Sequence, residues 1–357
     1  MKVLMIIHNL NFGGAERVFS FLANALANKG FEVHIYTYMG IDTVYPLSDK
    51  VKRSSTDFSQ RNRLHRFISP LLPVRRKIRE LKPDLVISFL TNPNLYSVIG
   101  AFLAQIPVII SERGDPFSED STMNRIKKYF YSFADGIVFQ TEAARSFYGK
   151  RIRAKSTVIP NPVQLTEHQT IDYSMRKNEI AFVARFDIVQ KRQDIMISAF
   201  RIVANEDPSI KLVFYGEGED RHTIESMVLE ARLSDRVVFL GSVEDVVDRL
   251  RFSKLCVLTS DYEGIPNSVI EALSAGVPVV STDCSPGGAR VLIREGIDGF
   301  IVPKGDVKKV AERILFLLRN PETARAFSQN ATDILQRFSP QQIVSKWMTF
   351  IDKVLSL

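Results

Sequence analysis

Short apolar runs alternate with longer segments of helical period along the chain. In the first half, the apolar runs read KVLMII, EVHIYTY, DLVISFL, PVIIS and GIVFQ. Between them, apolar residues at helical spacing predict helices near residues 15–28, 64–81, 94–104, 121–133 and 141–148. Continuous apolar strands separated by helices are typical of a parallel sheet covered on both faces. This half is therefore predicted to be one doubly wound α/β domain.

A second series of the same kind follows a polar stretch. Pro160 and Pro162 bracket Asn161, and the polar residues 164–177 favour a linker. Six further strands are then predicted by the runs EIAFVARF, IKLVFYG, RVVFLG, KLCVLTS, VPVVST and GFIVP. We expect an α/β chain of two doubly wound, Rossmann-like domains, residues 1–165 and 166–338. Since ligands of such sheets lie beyond the carboxyl ends of the strands, the site is expected in a cleft between the domains.

The last segment, residues 339–357, has one apolar helical stripe. Its members are Val344, Trp347, Met348, Ile351 and Leu355. Such a helix needs a surface to pack on; either domain offers one, and we assign it to the first.

The charge distribution and the cysteine content limit the classes of protein to which the chain can belong. Residues 1–170 hold 23 Lys and Arg against 14 Asp and Glu, a net charge of +9, whereas the remainder carries −2. The first half is therefore expected to face an anionic partner. Cys256 and Cys284 are too few for a disulfide framework, and the apolar run at residues 3–7 is too short for a signal peptide. We expect a cytoplasmic protein without a membrane-spanning segment.

Two glutamates stand in the segment YEGIPNSVIEALSAGVPVV, which runs from Tyr262 to Val280. Gly264 and Pro266 fit a tight turn before a helix, whose free N–H groups could meet phosphate or hydroxyl oxygens. Glu271, on that helix, could accept hydrogen bonds from the two vicinal hydroxyls of a ribose, with Glu263 at the other end of the ligand. The alternative is an ordinary turn residue and a solvated helix face.

In each half, a further candidate site feature follows the first strand. Gly13 and Gly14 leave the backbone bare before a helix, so that a pyrophosphate could approach, although a plain turn would have the same sequence. Arg185 and Lys191 follow the first strand of the second half and are either phosphate ligands or surface cations. His8 is interpreted as a buried structural histidine. No G-x-G-x-x-G follows the first strand, which argues against a dinucleotide-dependent oxidoreductase.

In combination these segments resemble the large retaining glycosyltransferase family four, whose members have two facing Rossmann-like domains of the GT-B type. The resemblance covers nearly the whole chain. It includes, in order, GGAERV, VARFDIVQKRQD, FYGEGEDR, VVFLGSV, the two-glutamate segment, TDCSPGGARVLI and DGFIV. The resemblance implies transfer with retention of anomeric configuration. We expect a hexose or N-acetylhexosamine from a UDP-sugar, with guanosine diphosphate as the alternative nucleotide.

The resemblance also implies roles for individual residues. Arg185 and Lys191 would neutralise the leaving diphosphate, and Glu263 would hold and stabilise the donor sugar. The other donor contacts would come from Gly13, Gly14, Gly216, Val243, Gly264, Pro266, Asn267 and Glu271. Arg113 occupies a position where many members have histidine; it stays protonated and cannot act as a base. It could bind an acceptor phosphate or the donor sugar, or form a salt bridge with Glu112 or Asp115. The sequence contains no Asp-x-Asp pair, so we expect neither a metal nor another cofactor.

The acceptor is predicted from the basic first half. Residues 61–82 mix apolar side chains with Arg and Lys, which suits either a membrane interface or a helix pair docked on the sheet. Further basic clusters lie at residues 125–128 and 150–155. We expect peripheral binding to the inner face of the cell membrane, a polyprenyl-pyrophosphate-linked saccharide as acceptor, and no nucleic acid. The alternatives are a nucleotide-sugar epimerase of the same fold and a non-enzymatic protein that binds nucleotide sugar or nucleic acid.

Overall fold

The chain forms two compact units. A computed structural model describes residues 1–11, 13–58, 69–117, 121–163 and 171–356. The first unit comprises Met1–Pro162 together with Gln341–Leu357, and the second comprises Val163–Pro340. None of the helices in these ranges is long and apolar enough to span a bilayer.

The first unit is built on a seven-stranded sheet in which every neighbouring pair is parallel. Its strands are β1 Lys2–Ile7, β2 Glu32–Thr37, β3 Lys52–Ser55, β4 Leu85–Phe89, β5 Val108–Ser111, β6 Gly136–Phe139 and β7 Ser156–Val158. They lie in the order β3-β2-β1-β4-β5-β6-β7. The strand order reverses between β1 and β4. Ligands of such sheets bind beyond the carboxyl ends of the strands at this point, so the ligand site of the unit is expected there.

Helices cover the sheet of the first unit. They are α1 Gly14–Asn28, α2 Leu71–Leu81, α3 Thr91–Ala104, α4 Ser121–Tyr131, α5 Glu142–Ser146 and α6 Lys150–Ala154. The central strands are apolar along their length because both faces are buried; all residues of β4, for example, are inaccessible to solvent.

The second unit repeats this plan with six parallel strands. They are β8 Lys177–Val183, β9 Lys211–Tyr215, β10 Val237–Phe239, β11 Ser253–Leu258, β12 Val279–Thr282 and β13 Gly299–Val302, in the order β10-β9-β8-β11-β12-β13. After a 3-10 turn at Tyr173–Met175, the helices are α7 Ile188–Lys191, α8 Gln193–Glu206, α9 Arg221–Glu230, α10 Val246–Leu250, α11 Asn267–Ser274, α12 Gly288–Leu292, α13 Val307–Arg319, α14 Pro321–Ala331 and α15 Ile334–Arg337. Here the order reverses between β8 and β11.

The predicted fold class of two parallel α/β domains is confirmed, with local differences. The sequence analysis missed β3 and β7, and it missed the short helix α6. Strand β3 reads KRSS and has no apolar pattern; it forms because its backbone pairs with β2 at the sheet edge. The predicted helix at residues 64–81 is described only from residue 69 on, where α2 begins after Pro70. Pro73 lies within the first turn of α2, where proline is tolerated.

The C-terminal helix α16, Pro340–Leu355, packs on the first unit. Its buried residues are Ile343, Val344, Trp347, Phe350, Ile351 and Val354. The predicted stripe was wrong at Leu355, which is exposed, because the buried face is centred between Trp347 and Phe350. A Cβ at Gly136 of β6 would lie 2.8 Å from Val354 and 3.0 Å from Phe350, so the glycine lets the helix lie directly on the sheet.

A buried ion pair joins β5 to α4 in the first unit. Lys127 Nζ lies 2.9 Å from Glu112 Oε2, and both side chains are almost fully buried. Tyr131 donates a hydrogen bond of 2.5 Å to the same oxygen, and the backbone N–H groups of Arg113 and Gly114 donate to Oε1. Burial by itself would raise the pKa of Glu112, but the charge of Lys127 and these hydrogen bonds lower it below its ordinary value. The carboxylate thus fixes the loop that follows β5.

Replacing Lys127 by methionine should destabilise the first unit by about 3 to 5 kcal/mol at pH 7, because Glu112 then lies buried without a countercharge. In the wild type the lowered pKa gives stability that is present above the unfolded pKa and lost as pH falls through the folded pKa. In the variant, burial raises the pKa of Glu112, so the deficit should shrink on acidification. Urea unfolding between pH 5 and 8 measures the free-energy deficit of the variant and its decrease towards low pH.

Lys128→Met is the matched control for this prediction. Lys128 is the exposed neighbour on the same helix, and its Nζ lies 4.1 Å from the Phe147 ring centroid. Its loss should cost less than about 1 kcal/mol. Equal destabilisation by the two variants would show that the buried pair does not hold the unit together.

Candidate active site

The second unit carries charged residues where its strand order reverses. Arg185 and Lys191 follow β8, and Glu263 follows β11, the neighbouring strand in the sheet. Because the carboxyl ends of parallel strands meet at one edge, residues distant in sequence are brought to a single place.

Lys191 and Glu263 are in direct contact. The Nζ atom lies 2.5 Å from Oε1 of Glu263, and both side chains are largely buried. Ser260 donates a hydrogen bond of 2.8 Å to the same carboxylate oxygen. The Thr259 hydroxyl donates to the carbonyl oxygens of Lys191 and Arg192, so the end of α7 is tied to the loop after β11. The pair is therefore a fixed cation beside a fixed carboxylate.

Arg185 is placed differently from Lys191. Its side chain is 65% exposed, and its Nη2 lies 2.7 Å from Asp187 Oδ2. Asp187 also caps α7 through a hydrogen bond from the Gln190 N–H to Oδ1. The guanidinium thus stands at the end of β8 and forms a surface ion pair with Asp187.

The turn before α11 is packed tightly. Pro266 precedes the helix, and Asn267 is its first residue. A Cβ at Gly288, the first residue of α12, would lie 1.8 Å from the carbonyl oxygen of Gly264. Only glycine fits there without displacing the Gly264–Asn267 turn. The sequence analysis missed Gly288, although the glycine pair in SPGG was a signal for such a close approach.

Glu271 lies one helical turn after Asn267, and therefore on the same face of α11. Burial, with the nearby Glu271 carboxylate, raises the pKa of the Cys256 thiol to about 12. Burial, with the nearby Glu263 carboxylate, raises the pKa of Cys284 likewise to about 12. Both thiols therefore stay protonated at neutral pH, which is typical of structural buried cysteines.

Gly216 and Val243 follow β9 and β10. Gly216 has a φ of +142°, and a Cβ there would lie 2.0 Å from the carbonyl oxygen of Ala184 at the end of β8. Gly218 is equally close to the carbonyl oxygen of Phe186, at 2.2 Å, and was missed from the sequence. These glycines bring the chain after β9 against the chain after β8. Val243 is half-buried in the loop before α10.

In the first unit, the glycine pair lies at the end of β1 that borders the strand reversal. Gly13 precedes α1, and Gly14 is its first residue. A Cβ at Gly13 would lie 2.0 Å from Oε2 of Glu16, whose buried carboxylate therefore occupies the space above the glycine. The sequence analysis missed Glu16. Its Oε1 lies 3.5 Å from His8 Nε2; burial raises the pKa of Glu16 and lowers that of His8.

Arg113 follows β5 and is buried. Its Nε donates to Ser111 Oγ and its Nη1 to Asn161 Oδ1, each at 2.8 Å. The guanidinium carbon lies 4.5 Å from the centroid of the Phe89 ring, which stacks on Trp347 of α16. In the part of the chain that the structure describes, Nη2 has no hydrogen-bond partner.

The environment of Arg113 excludes one of its expected contacts. Glu112 is not its salt-bridge partner, because that carboxylate binds Lys127 and accepts from the Arg113 backbone N–H. Burial lowers the pKa of Arg113 to about 9, partly offset by Glu112, so the side chain remains charged at neutral pH. A buried, fixed cation with one free N–H edge is suited to an anionic group. The partners Asn161, Phe89 and Trp347 were missed from the sequence.

Among the described residues there is no group of three His, Cys, Asp or Glu side chains that could hold a metal ion. Independence from metal stays a prediction.

Two family models match consecutive parts of the chain. The model described as Glycosyltransferase Family 4 matches residues 12–167, and the one described as Glycosyl transferases group 1 matches residues 164–334. Together they span most of the chain, with the change from one to the other close to the boundary between the two units.

Curated relatives match over nearly the full length. An enzyme of Campylobacter jejuni is 27% identical over 99% of both chains. It is described as the GalNAc-alpha-(1->4)-GalNAc-alpha-(1->3)-diNAcBac-PP-undecaprenol alpha-1,4-N-acetyl-D-galactosaminyltransferase. The amylovoran biosynthesis glycosyltransferase AmsD of Erwinia amylovora is 22% identical over 97% of this chain and 98% of that protein.

Solved structures show the same fold. HepE of Anabaena, in complex with UDP and glucose, has a TM-score of 0.80 at 17% identity and covers 99% of this chain and 100% of its own. TarM of S. aureus, in a complex containing UDP, has a TM-score of 0.76 at 16% identity and covers 98% and 99%. On these findings the chain belongs to glycosyltransferase family four and has its GT-B fold of two parallel α/β domains.

Proposed function

We propose that this chain is a retaining, metal-independent glycosyltransferase that moves a hexose or N-acetylhexosamine from a UDP-sugar to a polyprenyl-pyrophosphate-linked saccharide. The observation that carries the proposal is the Lys191–Glu263 contact at the strand reversal of the second unit. A fixed cation suits the diphosphate of the donor, and a fixed carboxylate suits the sugar. The UDP complexes of HepE and TarM and the lipid-linked acceptor named for the Campylobacter enzyme support the choice of substrates.

The donor would be held by the second unit. Lys191 and the exposed Arg185 would bind the diphosphate, while N–H groups of the Gly264–Asn267 turn meet its oxygens. Glu271 would accept hydrogen bonds from the ribose hydroxyls, and the chain near Gly216 and Val243 would contact base and sugar. The donor contacts expected at Gly13 and Gly14 stay predictions, because the Glu16 carboxylate occupies the space above Gly13.

Transfer separates charge, and the fixed groups would act on that charge. The bond between the anomeric carbon and the phosphate oxygen breaks, the sugar becomes cation-like, and negative charge grows on the leaving phosphate. Lys191 would offset that negative charge, and Glu263 would stabilise the cationic sugar. The acceptor hydroxyl would attack from the same face and pass its proton to the leaving phosphate oxygen, so the anomeric configuration is retained.

The acceptor would be held by the first unit. Arg113 offers its free N–H edge to the acceptor pyrophosphate, and the +9 charge of residues 1–170 attracts the protein to the anionic inner face of the membrane. No nucleic acid is expected as a partner.

A panel of nucleotide sugars tests the proposal directly. A UDP-hexose or UDP-N-acetylhexosamine at 100 times its Kd should stabilise the protein by about 2.7 kcal/mol, measured as a rise in Tm. With a polyprenyl-pyrophosphate oligosaccharide, the same donor should extend the acceptor by one α-linked sugar, in the presence of EDTA as in its absence. Mass spectrometry and NMR of the product give the outcome. A changed sugar without transfer would make the protein an epimerase instead.

Glu263→Gln should reduce kcat about 10²-fold to 10³-fold, because the neutral amide no longer stabilises positive charge on the sugar. The affinity for UDP alone should be retained or increased, since Lys191 loses its countercharge. Steady-state transfer and UDP titration measure the two effects separately. Glu312→Gln, at an exposed glutamate of the same unit, is the control. Unimpaired transfer by Glu263→Gln would remove this residue from the mechanism.

Arg113→Leu should raise the KM for a water-soluble acceptor that bears a pyrophosphate about tenfold or more, because a charge-assisted hydrogen bond is lost. The KM for the donor and the use of the same saccharide without pyrophosphate should stay unchanged. Kinetics with the two acceptors check this, with Arg53→Leu on the exposed edge strand β3 as control. An unchanged preference for the pyrophosphate in the variant would contradict the assignment.

A further inference from the structure

The first unit exposes an aromatic cluster where α3 and α4 end. Phe102 and Tyr129 are 60% and 63% exposed, and Leu103 is 52% exposed. The rings of Phe102 and Phe133 lie 5.5 Å apart, and those of Tyr129 and Phe133 lie 5.3 Å apart. The cluster is therefore a connected apolar surface in water, and such surfaces mark interaction sites.

A second exposed ring lies near the start of α4. Phe117 is 56% exposed, and its ring lies 5.1 Å from that of Phe147. Lys128 of α4 places its Nζ over Phe147. Helix α4 thus has exposed aromatic rings near both of its ends.

Cations lie among these rings. Arg125 and Lys128 are exposed on α4, and Arg125 stands one helical turn before Tyr129. Lys155 donates to the carbonyl oxygen of Ser132, next to Phe133. Among the described residues, Asp135 is an exposed acidic group close to Lys155, and its charge acts on that lysine. We name the exposed residues the aromatic–basic band: Phe102, Leu103, Phe117, Arg125, Lys128 and Tyr129.

The structure assigns the aromatic–basic band to docking on an anionic lipid bilayer. Aromatic side chains with adjacent cations suit the boundary between headgroups and acyl chains, where the rings are buried and the cations meet lipid phosphates. A second copy of the chain would bring like charges together. Single-stranded nucleic acid needs free ring faces, whereas these rings contact one another edge to face. The assignment deepens the proposed function, since a lipid-linked acceptor lies in such a membrane.

The test measures binding to vesicles, which does not depend on transfer. For Phe102→Ser/Tyr129→Ser, the partition coefficient on vesicles of phosphatidylglycerol and phosphatidylcholine should fall at least about tenfold in a sedimentation assay, because two rings no longer insert. Arg125→Ser/Lys128→Ser should bind less at low salt and differ little from the wild type at high salt. Both variants should transfer sugar to a water-soluble acceptor at the wild-type rate.

Met175→Ser/Leu229→Ser is the matched control, because both residues are exposed apolar side chains of the second unit. It should bind vesicles like the wild type. Equal binding by the ring variant and this control, or no binding by the wild type, overturns the assignment. So does a wild-type dimer in light scattering that the ring variant converts to monomer without a change in vesicle binding. If the protein binds vesicles as expected but transfers no sugar, the proposed function is wrong and the assignment of the docking surface is retained.

Discussion

The position of Lys191 depends on the strand order of the second sheet. Lys191 and Glu263 stand 72 positions apart, and they meet because β8 and β11 are neighbours at the point where the order reverses. Thr259 ties the end of α7 to the chain after β11, and Ser260 holds the Glu263 carboxylate, so the cation and the carboxylate are in place before any ligand arrives. Charges fixed in advance need little reorganisation when charge develops on a substrate. The glycines at positions 216, 218 and 288 serve the same end, since each lets a loop of this edge lie directly against another.

The first unit holds its cation by another means. Lys191 is opposed by a carboxylate, whereas the Arg113 guanidinium is held by a hydroxyl, an amide and the Phe89 ring. The carboxylate next to it, Glu112, is neutralised by Lys127 and serves to fix the backbone. The free-energy cost of removing water from Arg113 is thus already included in folding. Its positive charge is not neutralised by an ion pair. A site of this kind attracts an anion more strongly than an exposed arginine does, because the cation is already partly stripped of water.

The sequence predicted the parallel α/β units because buried strands are continuous apolar runs, a signal that is local. It did not predict β3, which is polar and held by backbone pairing at an edge. Lys191 and Glu263 could be singled out from their motifs. Their contact depends on the strand order, which neither segment predicts by itself. Likewise, Asn161 and Trp347 reach Arg113 and Phe89 from distant parts of the chain. Glu16 above Gly13 shows the same limit at short range, since three residues of sequence do not tell which way a side chain turns.

Charge and exposed rings on the first unit act over different distances. At physiological ionic strength a surface charge is felt over about 8 Å, so the cations guide the approach to an anionic surface and lose strength as salt rises. Burial of Phe102 and Tyr129 acts only on contact and is not screened. The cations therefore govern mainly how fast such a surface is reached, and the rings govern how long the contact lasts. With the proposed lipid-linked acceptor, the protein would have to stay at the membrane for a turnover. That needs the second property, which the +9 charge of its first 170 residues does not supply.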